Sequence, residues 1–225
     1  MQQNDIFGKN SADDEPYLAF ERRLWASGFH AIAGVDEVGR GPLAGPVVAC
    51  CCLLPKNVRF SSVRDSKALA EEERKAAYQE LVGHPRVKWA INVIDHSTID
   101  EINILRATLR AMQGAIAQIQ DAIDFVLIDG RDAPPLLIAH QTVIQGDSLS
   151  QSIAAASIIA KVTRDQMMDE YHREFPHYGF DEHKGYGTKA HMKALAQYGP
   201  SPIHRRSFAP VAAQIVGDAL TLFSK

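Results

Sequence analysis

Four acids carry the chemistry this sequence could perform. Asp36 and Glu37 stand side by side in AGVDEVGRGPLAGP, residues 33–46, at the end of a short apolar run. Asp129 closes the apolar run FVLI at 125–128, and Asp147 follows QTVIQG at 141–146. Carboxylates bind hard cations through oxygen. Directly after the first pair comes Gly39-Arg40-Gly41, whose bare backbone N–H groups can bind oxygens because no Cβ blocks approach. The combination points to metal-assisted chemistry on a phosphate ester. Two like charges about 4 Å apart repel by roughly 4 kcal/mol at an effective dielectric of 20. Four converging acids therefore need cations or raised pKa values. Two divalent ions about 4 Å apart would activate water and stabilise the leaving oxygen of a phosphodiester. Plainer roles exist: Asp129 before Gly130 can form a turn, and Asp147 before Ser148 can cap a helix. An Asp-Glu pair ahead of G-x-G has no such structural use.

Other candidates are read around these four. Gly39 to Ala44 fits G-x-G-x-x-A, but a dinucleotide loop must open a helix. Here Pro42, Pro46 and a β-prone run follow, so the next element is a strand. Cys50, Cys51 and Cys52 are consecutive, with no C-x-x-C pair, and read as small buried hydrophobes. Net charge is −3, which does not suggest nucleic acid. Its distribution does: between His183 and Arg206 stand five Lys or Arg and no Asp or Glu. Such a stretch suits a polyanion. Lys67, Lys184, Arg205 and Arg206 are candidate phosphate contacts, with Ser207 a weaker donor. His183 and His204 are candidate proton shuttles, and Arg164 is expected to pair with Asp165 in a supporting role.

The elements that position these residues follow from hydrophobic pattern. Strands are expected over 30–35, 46–55, 87–94, 124–128 and 141–145. Helices are expected over 20–28, 70–82, 99–120, 150–175 and 188–197, with a last one ending near 223. The stripe Ile102, Leu105, Leu109, Met112, Ile116, Ile119 has gaps of 3, 4, 3, 4 and 3, one helix face. FVLI, apolar at every position, suits a strand buried on both faces. The helix at 150–175 starts with QSIAAASIIAK, small enough to let it approach a neighbour closely. Strands alternating with helices after an antiparallel start give an α/β fold with a mixed sheet of about five strands. If the first and fourth strands are parallel neighbours, Asp36 and Asp129 face one small volume beyond the strand ends, where α/β sheets place their sites.

The chain has 225 residues, 46% of them hydrophobic, enough for one sizeable core with a small appended lobe. We expect a flexible lead-in at 1–19, a catalytic domain at 20–175 and a C-terminal helical substrate-binding lobe at 176–225. No apolar run approaches the ~20 residues of a membrane span. The polar N-terminus lacks a signal-peptide pattern. A cytoplasmic monomer is expected.

With these residues in hand, the chain resembles the ribonuclease HII (type 2 ribonuclease H) family. The motifs that carry the resemblance are GVDEVGRGPLAGPVVA at 34–49, DSKAL at 65–69, FVLIDG at 125–130, GDSLSQSIAAASIIAKVTRD at 146–165, HKGYGT at 183–188 and HRRSF at 204–208. The resemblance implies a ribonuclease H-like fold and magnesium- or manganese-dependent hydrolysis of the RNA strand of RNA–DNA hybrids. It also implies cutting 5′ of single ribonucleotides embedded in duplex DNA, leaving 3′-hydroxyl and 5′-phosphate. By motif, Asp36, Glu37, Asp129 and Asp147 match the family's metal-binding acids. Gly39, Arg40 and Gly41 match its ribose-reading loop, and Tyr186 its tyrosine at the RNA–DNA junction. Two competing readings are a DNA-directed nuclease of the same fold and a non-catalytic hybrid or junction binder. The tail ALTLFSK loosely resembles a sliding-clamp docking peptide, with Ala219 in place of the usual glutamine; a weak clamp contact is the corresponding expectation.

Overall fold

Five strands form one sheet in the order β3-β2-β1-β4-β5. They are β1 (Ile32–Val38), β2 (Val47–Leu53), β3 (Lys88–Ile94), β4 (Phe125–Asp129) and β5 (Ala139–Val143). The computed structural model describes residues 16–56, 58–63, 66 and 68–223. β1 pairs antiparallel with β2 and parallel with β4, so the expected mixed sheet is present. The helices are α1 (Ala19–Ala26), α2 (Glu71–Gly83), α3 (His96–Ile102), α4 (Ile104–Ile119), α5 (Gln151–Glu174), α6 (Phe180–His183), α7 (Lys189–Tyr198) and α8 (Ala209–Phe223). No helix among the described residues is long and apolar enough to cross a membrane.

One face of the sheet packs on α5 and α2, the other on α4. α5 crosses β1 so closely that a Cβ at Gly34 would lie 2.0 Å from the main-chain carbon of Ser152. That contact is the reason for the run Ala154, Ala155, Ala156 in α5, all fully buried. The three cysteines alternate across β2 as a strand requires. Cys50 and Cys52 enter the α5 layer and Cys51 the α4 layer; all three are free and fully buried. Burial pushes each thiol pKa up.

Three expectations change. The single helix over 99–120 is two helices, α3 and α4, divided at Asn103. Asn103 takes a left-handed φ of 68°, and its side chain caps α4 by accepting from the N–H of Arg106 at 3.1 Å. The apolar stripe continues across the break, which is why periodicity does not reveal it. β1 also runs further than expected, to Val38, so Asp36 and Glu37 lie within the strand, opposite Cys50 and Ala49. Finally, β5 starts earlier, at Ala139, and Gln145 beyond it is left-handed at φ 57°.

The C-terminal helices pack directly on the loop between β1 and β2. Ala44 sits in one apolar cluster with Met168, Tyr178, Phe180, Ala194 and Ile203. Leu43 sits in another with Leu195 and Val211. Ala44 also forms a bridge with His204, so this loop and the segment before α8 share main-chain hydrogen bonding.

Candidate active site

The parallel pairing of β1 with β4 runs to Val35 opposite Ile128. The next residue on each strand is an acid, Asp36 on β1 and Asp129 on β4. Asp36 is buried, and desolvation holds its carboxyl well above the usual range; the charges of Glu37 and Asp129 push the same way. The hydroxyl of Ser157 on α5 and the N–H of Glu37, the latter at 2.7 Å, oppose the shift. Glu37 is also raised, by burial first and by Asp129 as well, while Arg40 opposes at Nη1–Oε1 3.3 Å. Asp129 accepts the N–H of Gly146 on Oδ1 at 2.6 Å. That bond ties the end of β4 to the short turn Gly146–Ser148, which carries buried Asp147. The Tyr17 hydroxyl donates to the Asp147 carbonyl at 2.8 Å, and Glu21 takes the Ser150 hydroxyl at 2.6 Å and the Ser152 N–H at 3.0 Å. The segment around α1 thus braces the start of α5 beside Asp147.

Asp36, Glu37 and Asp129 therefore interact at one end of β1 and β4, and Asp147 is carried by the turn that Gly146 ties to Asp129. Their donors are all carboxylate oxygens, which suits a hard divalent cation rather than a thiophilic one. The repulsion that raises Asp36 is the kind a cation relieves. Among the described residues no three His, Cys, Asp or Glu side chains close into a ready-made metal cage. One oxygen each of Asp36, Asp129 and Glu37 instead accepts from the N–H of Glu37, the N–H of Gly146 and the guanidinium of Arg40. An open arrangement of this sort fits an ion that keeps waters and shares substrate oxygens. Beside it lies a surface cleft lined in part by Glu37, Arg40, Thr108, Asp129 and Asp132.

Gly39-Arg40-Gly41 leaves β1 at the rim of this cleft. Gly39 has φ +97°, and a Cβ there would meet Arg164 at 2.3 Å, so only glycine fits. Gly41 is exposed, and a Cβ on it would be 3.4 Å from the Tyr186 ring. Tyr186, itself exposed, therefore stands against the loop. Sequence distance between the two is large, yet the fold makes them neighbours.

Several predicted contacts are corrected. Arg205 is fully buried and cannot reach a phosphate. Its guanidinium donates to the carbonyls of Gly45 (3.0 Å), Arg40 (3.0 Å), Pro42 (2.8 Å) and Gly39 (2.5 Å). Arg164 is equally buried and does not pair with Asp165, which takes Lys161 at 2.7 Å. Arg164 instead donates to the carbonyls of Pro46 (3.0 Å), Lys184 (2.9 Å) and Ala44 (3.2 Å). The Lys184 ammonium is engaged by Asp169. The Ser207 hydroxyl donates to Asp100 at 2.5 Å, leaving no proton for a substrate oxygen. Arg206 keeps an exposed side chain while its N–H also bonds Asp100, at 2.8 Å. Lys67 lies outside the described residues.

The histidines form a closed buried chain rather than proton shuttles. Backbone N–H groups only donate, so Nδ1 of His204 must accept from Ser201 at 2.9 Å. Its Nε2–H then donates to Nε2 of His191 at 3.0 Å, and Nδ1–H of His191 donates to the Tyr186 carbonyl at 2.9 Å. His183 stacks on His191 at 4.4 Å. All of this lies beneath Tyr186.

Sequence reasoning missed Ser157 and its partner Ser66, whose hydroxyls meet at 2.9 Å behind Asp36. The signal was a serine amid alanines in a helix otherwise made of small apolar residues. Tyr17 and Glu21 had no sequence signal.

The ribonuclease HII family model matches residues 33–211. Ribonuclease HII of Chlamydia caviae is 54% identical over 208 residues, covering 90% of this chain and 98% of that protein. Ribonuclease HII of Geobacter metallireducens is 50% identical over 202 residues, covering 87% and 94%. Among solved structures, ribonuclease H2 from Pyrococcus horikoshii superposes with a TM-score of 0.69 at 23% identity, over 82% of this chain and 96% of that one. Two others share the fold. The PCNA:RNase HII complex from Archaeoglobus fulgidus gives a TM-score of 0.65 at 20% identity, over 78% of this chain and 93% of that one. Bst-RNase HIII in complex with Mn2+ gives 0.63 at 19%, over 93% and 76%.

Proposed function

The chain belongs to the ribonuclease HII family, endonucleases that degrade the RNA of RNA–DNA hybrids, and on that premise we propose how its residues divide the work. The family is divalent-metal dependent; we assign Asp36, Glu37, Asp129 and Asp147 to hold two Mg2+ or Mn2+ ions. Bound ions would activate a water and stabilise the leaving oxygen of an in-line displacement. The ribose 2′-hydroxyl, both donor and acceptor, is what distinguishes RNA from DNA. The Gly39–Gly41 backbone reads it, and the Tyr186 ring packs on a following sugar that lacks it. Arg40, exposed at the rim, and Arg206 meet phosphates. The cut then falls 5′ of the ribonucleotide, in hybrids and at single ribonucleotides in duplex DNA, leaving 3′-hydroxyl and 5′-phosphate.

The observation that carries this reading is buried Asp36, within reach of the charges of Glu37 and Asp129, on the strand β1 that leads into the loop beside Tyr186. The residues prepare the site without the ions. Ser157 and the Glu37 N–H orient Asp36, and Gly146 orients Asp129. Family membership sets aside the DNA-directed nuclease and the non-catalytic binder. The expected assembly is a cytoplasmic monomer. A weak sliding-clamp contact through the tail is supported by the PCNA complex of a fold relative; residues 224–225 of that tail lie outside the described residues. Unchanged clamp capture after tail deletion would remove it.

The test is a duplex with one ribonucleotide, incubated with Mg2+, Mn2+ or chelator. Cleavage should need the ion, and Asp36→Asn should abolish cutting while leaving substrate binding within about threefold, since a neutral isostere removes charge rather than shape. An Asp36→Asn variant that cuts at the unmodified rate would sink the metal assignment.

A further inference from the structure

Among the described residues Arg205 and Arg164 are the two largest fully buried side chains, and both are permanent cations. A buried cation ordinarily meets a carboxylate. Every hydrogen-bond acceptor these two meet among the described residues is a main-chain carbonyl. Four of the seven carbonyls, those of Gly39, Arg40, Pro42 and Gly45, belong to Arg205, and all lie in the loop that follows the Asp36-Glu37 strand. Arg164 takes Ala44 and Pro46 of the same loop and Lys184, two residues before Tyr186.

The consequence is set by peptide geometry. No described peptide bond is cis, and in a trans peptide the C=O and the next N–H point in opposite directions. Drawing the carbonyls of Gly39 and Arg40 inward onto Arg205 turns the N–H groups of Arg40 and Gly41 outward. Neither of those N–H groups meets a main-chain acceptor among the described residues. The N–H of Leu43, by contrast, is spent on the Gly185 carbonyl at 2.8 Å, which locks the loop to the Tyr186 segment. His191 holds that segment from below through the Tyr186 carbonyl. Desolvation pushes both guanidinium pKa values down, Arg205 to about 9 and Arg164 to about 10, so both stay charged near neutral pH.

We propose that Arg205, with Arg164 beside it, is the positioning residue for sugar discrimination: it presents the Arg40 and Gly41 N–H groups to the ribose and fixes their spacing from the Tyr186 ring. This rests on the ribose- and junction-reading roles given above. It reassigns the basic pair 205–206, since only Arg206 is left to face the polyanion.

The test compares cleavage of a duplex carrying one ribonucleotide with cleavage of a continuous RNA–DNA hybrid, for the full chain and for Arg205→Lys, Arg164→Lys and Tyr186→Ala. Lysine keeps the charge but cannot reproduce the planar fork of donors. Arg205→Lys should lower the single-ribonucleotide preference about tenfold, the scale on which small misplacements of reacting groups register. Arg164→Lys, which leaves the Arg205 contacts in place, should act in the same direction and more weakly. Hydrogen exchange should quicken in the amides of residues 39–45 in Arg205→Lys and stay unchanged in β1 and β4. If Tyr186→Ala lowers the preference and neither lysine variant does, the arginine assignment is wrong and the reading of Tyr186 stands. If Tyr186→Ala leaves the preference unchanged, the junction reading falls and the arginine role with it. Faster exchange throughout the sheet would show that Arg205 merely supports the fold, and would also overturn the proposal.

Discussion

Acidification should unfold this protein through His204. The ring is 1% exposed, its Nδ1 accepts from the N–H of Ser201, and its Nε2–H faces the Nε2 acceptor of His191. Protonating His191 would set N–H against N–H across 3.0 Å, and protonating His204 at Nδ1 would set N–H against the Ser201 N–H across 2.9 Å, inside a cluster holding Tyr178, Phe180 and His183. Desolvation, with His191 adding, lowers the His204 pKa to about 3, and His191 is lowered as well. An unfolded histidine titrates near 6.5. Between those values the unfolded chain holds a proton that the folded one refuses, so stability is full above about pH 6.5 and falls as pH drops toward 3. At pH 5 the loss from His204 alone is about 2 kcal/mol, from ~1.4 kcal/mol per pH unit. Asp36 and Glu37 work the other way, because their raised carboxyl pKa values are relieved by protonation. The clean measurement is therefore a difference. Urea midpoints are taken at pH 7.5 and 5.0 for the parent and for His204→Asn, which keeps an acceptor for Ser201 and cannot charge. The parent should lose about 2 kcal/mol more than the variant over that interval. Equal losses would refute the neutral histidine chain.

Three further outcomes follow from the packing. Gly34→Ala drives a Cβ to 2.0 Å from the α5 backbone, and should lower stability by about 3 kcal/mol, read as a drop in thermal midpoint; an unchanged midpoint would mean α5 can move off β1. Tyr17→Phe removes the hydroxyl that holds the Asp147 carbonyl, and should weaken Mn2+ binding roughly fivefold by calorimetry, the scale of one hydrogen bond; equal affinity would separate the N-terminal segment from the metal site. Asp36→Asn, in chelator at pH 8, should raise stability by roughly 1 kcal/mol, because a carboxyl whose pKa lies above its unfolded value costs folding energy once ionised; a loss would mean the hydrogen bonds of Asp36 outweigh the repulsion.

The sheet and its acids were legible because they depend on local pattern. FVLI reads as a doubly covered strand, and Asp36 and Asp129 share register because the strands that carry them are neighbours. The small-residue run of α5 likewise announced a close crossing. What could not be read was direction of burial for the cations. Arginine is almost never fully buried, so Arg205 looked like a surface phosphate contact and Arg164 like half of an ion pair with Asp165. Only the fold reveals that loop carbonyls, gathered from residues 39–46, turn inward to receive them. The helix break at Asn103 was hidden for a related reason: one side-chain cap interrupts the backbone without interrupting the apolar stripe.

Three consecutive thiols at the centre of a covered sheet also date the protein's vulnerability. Once the layers on either side of β2 have closed, Cys50, Cys51 and Cys52 offer nothing to an oxidant. Before closure, the nascent strand displays three sulfurs in a row. Chemical damage at this strand is thus a hazard of birth rather than of working life, and a single labelled thiol would mark a molecule that had come apart.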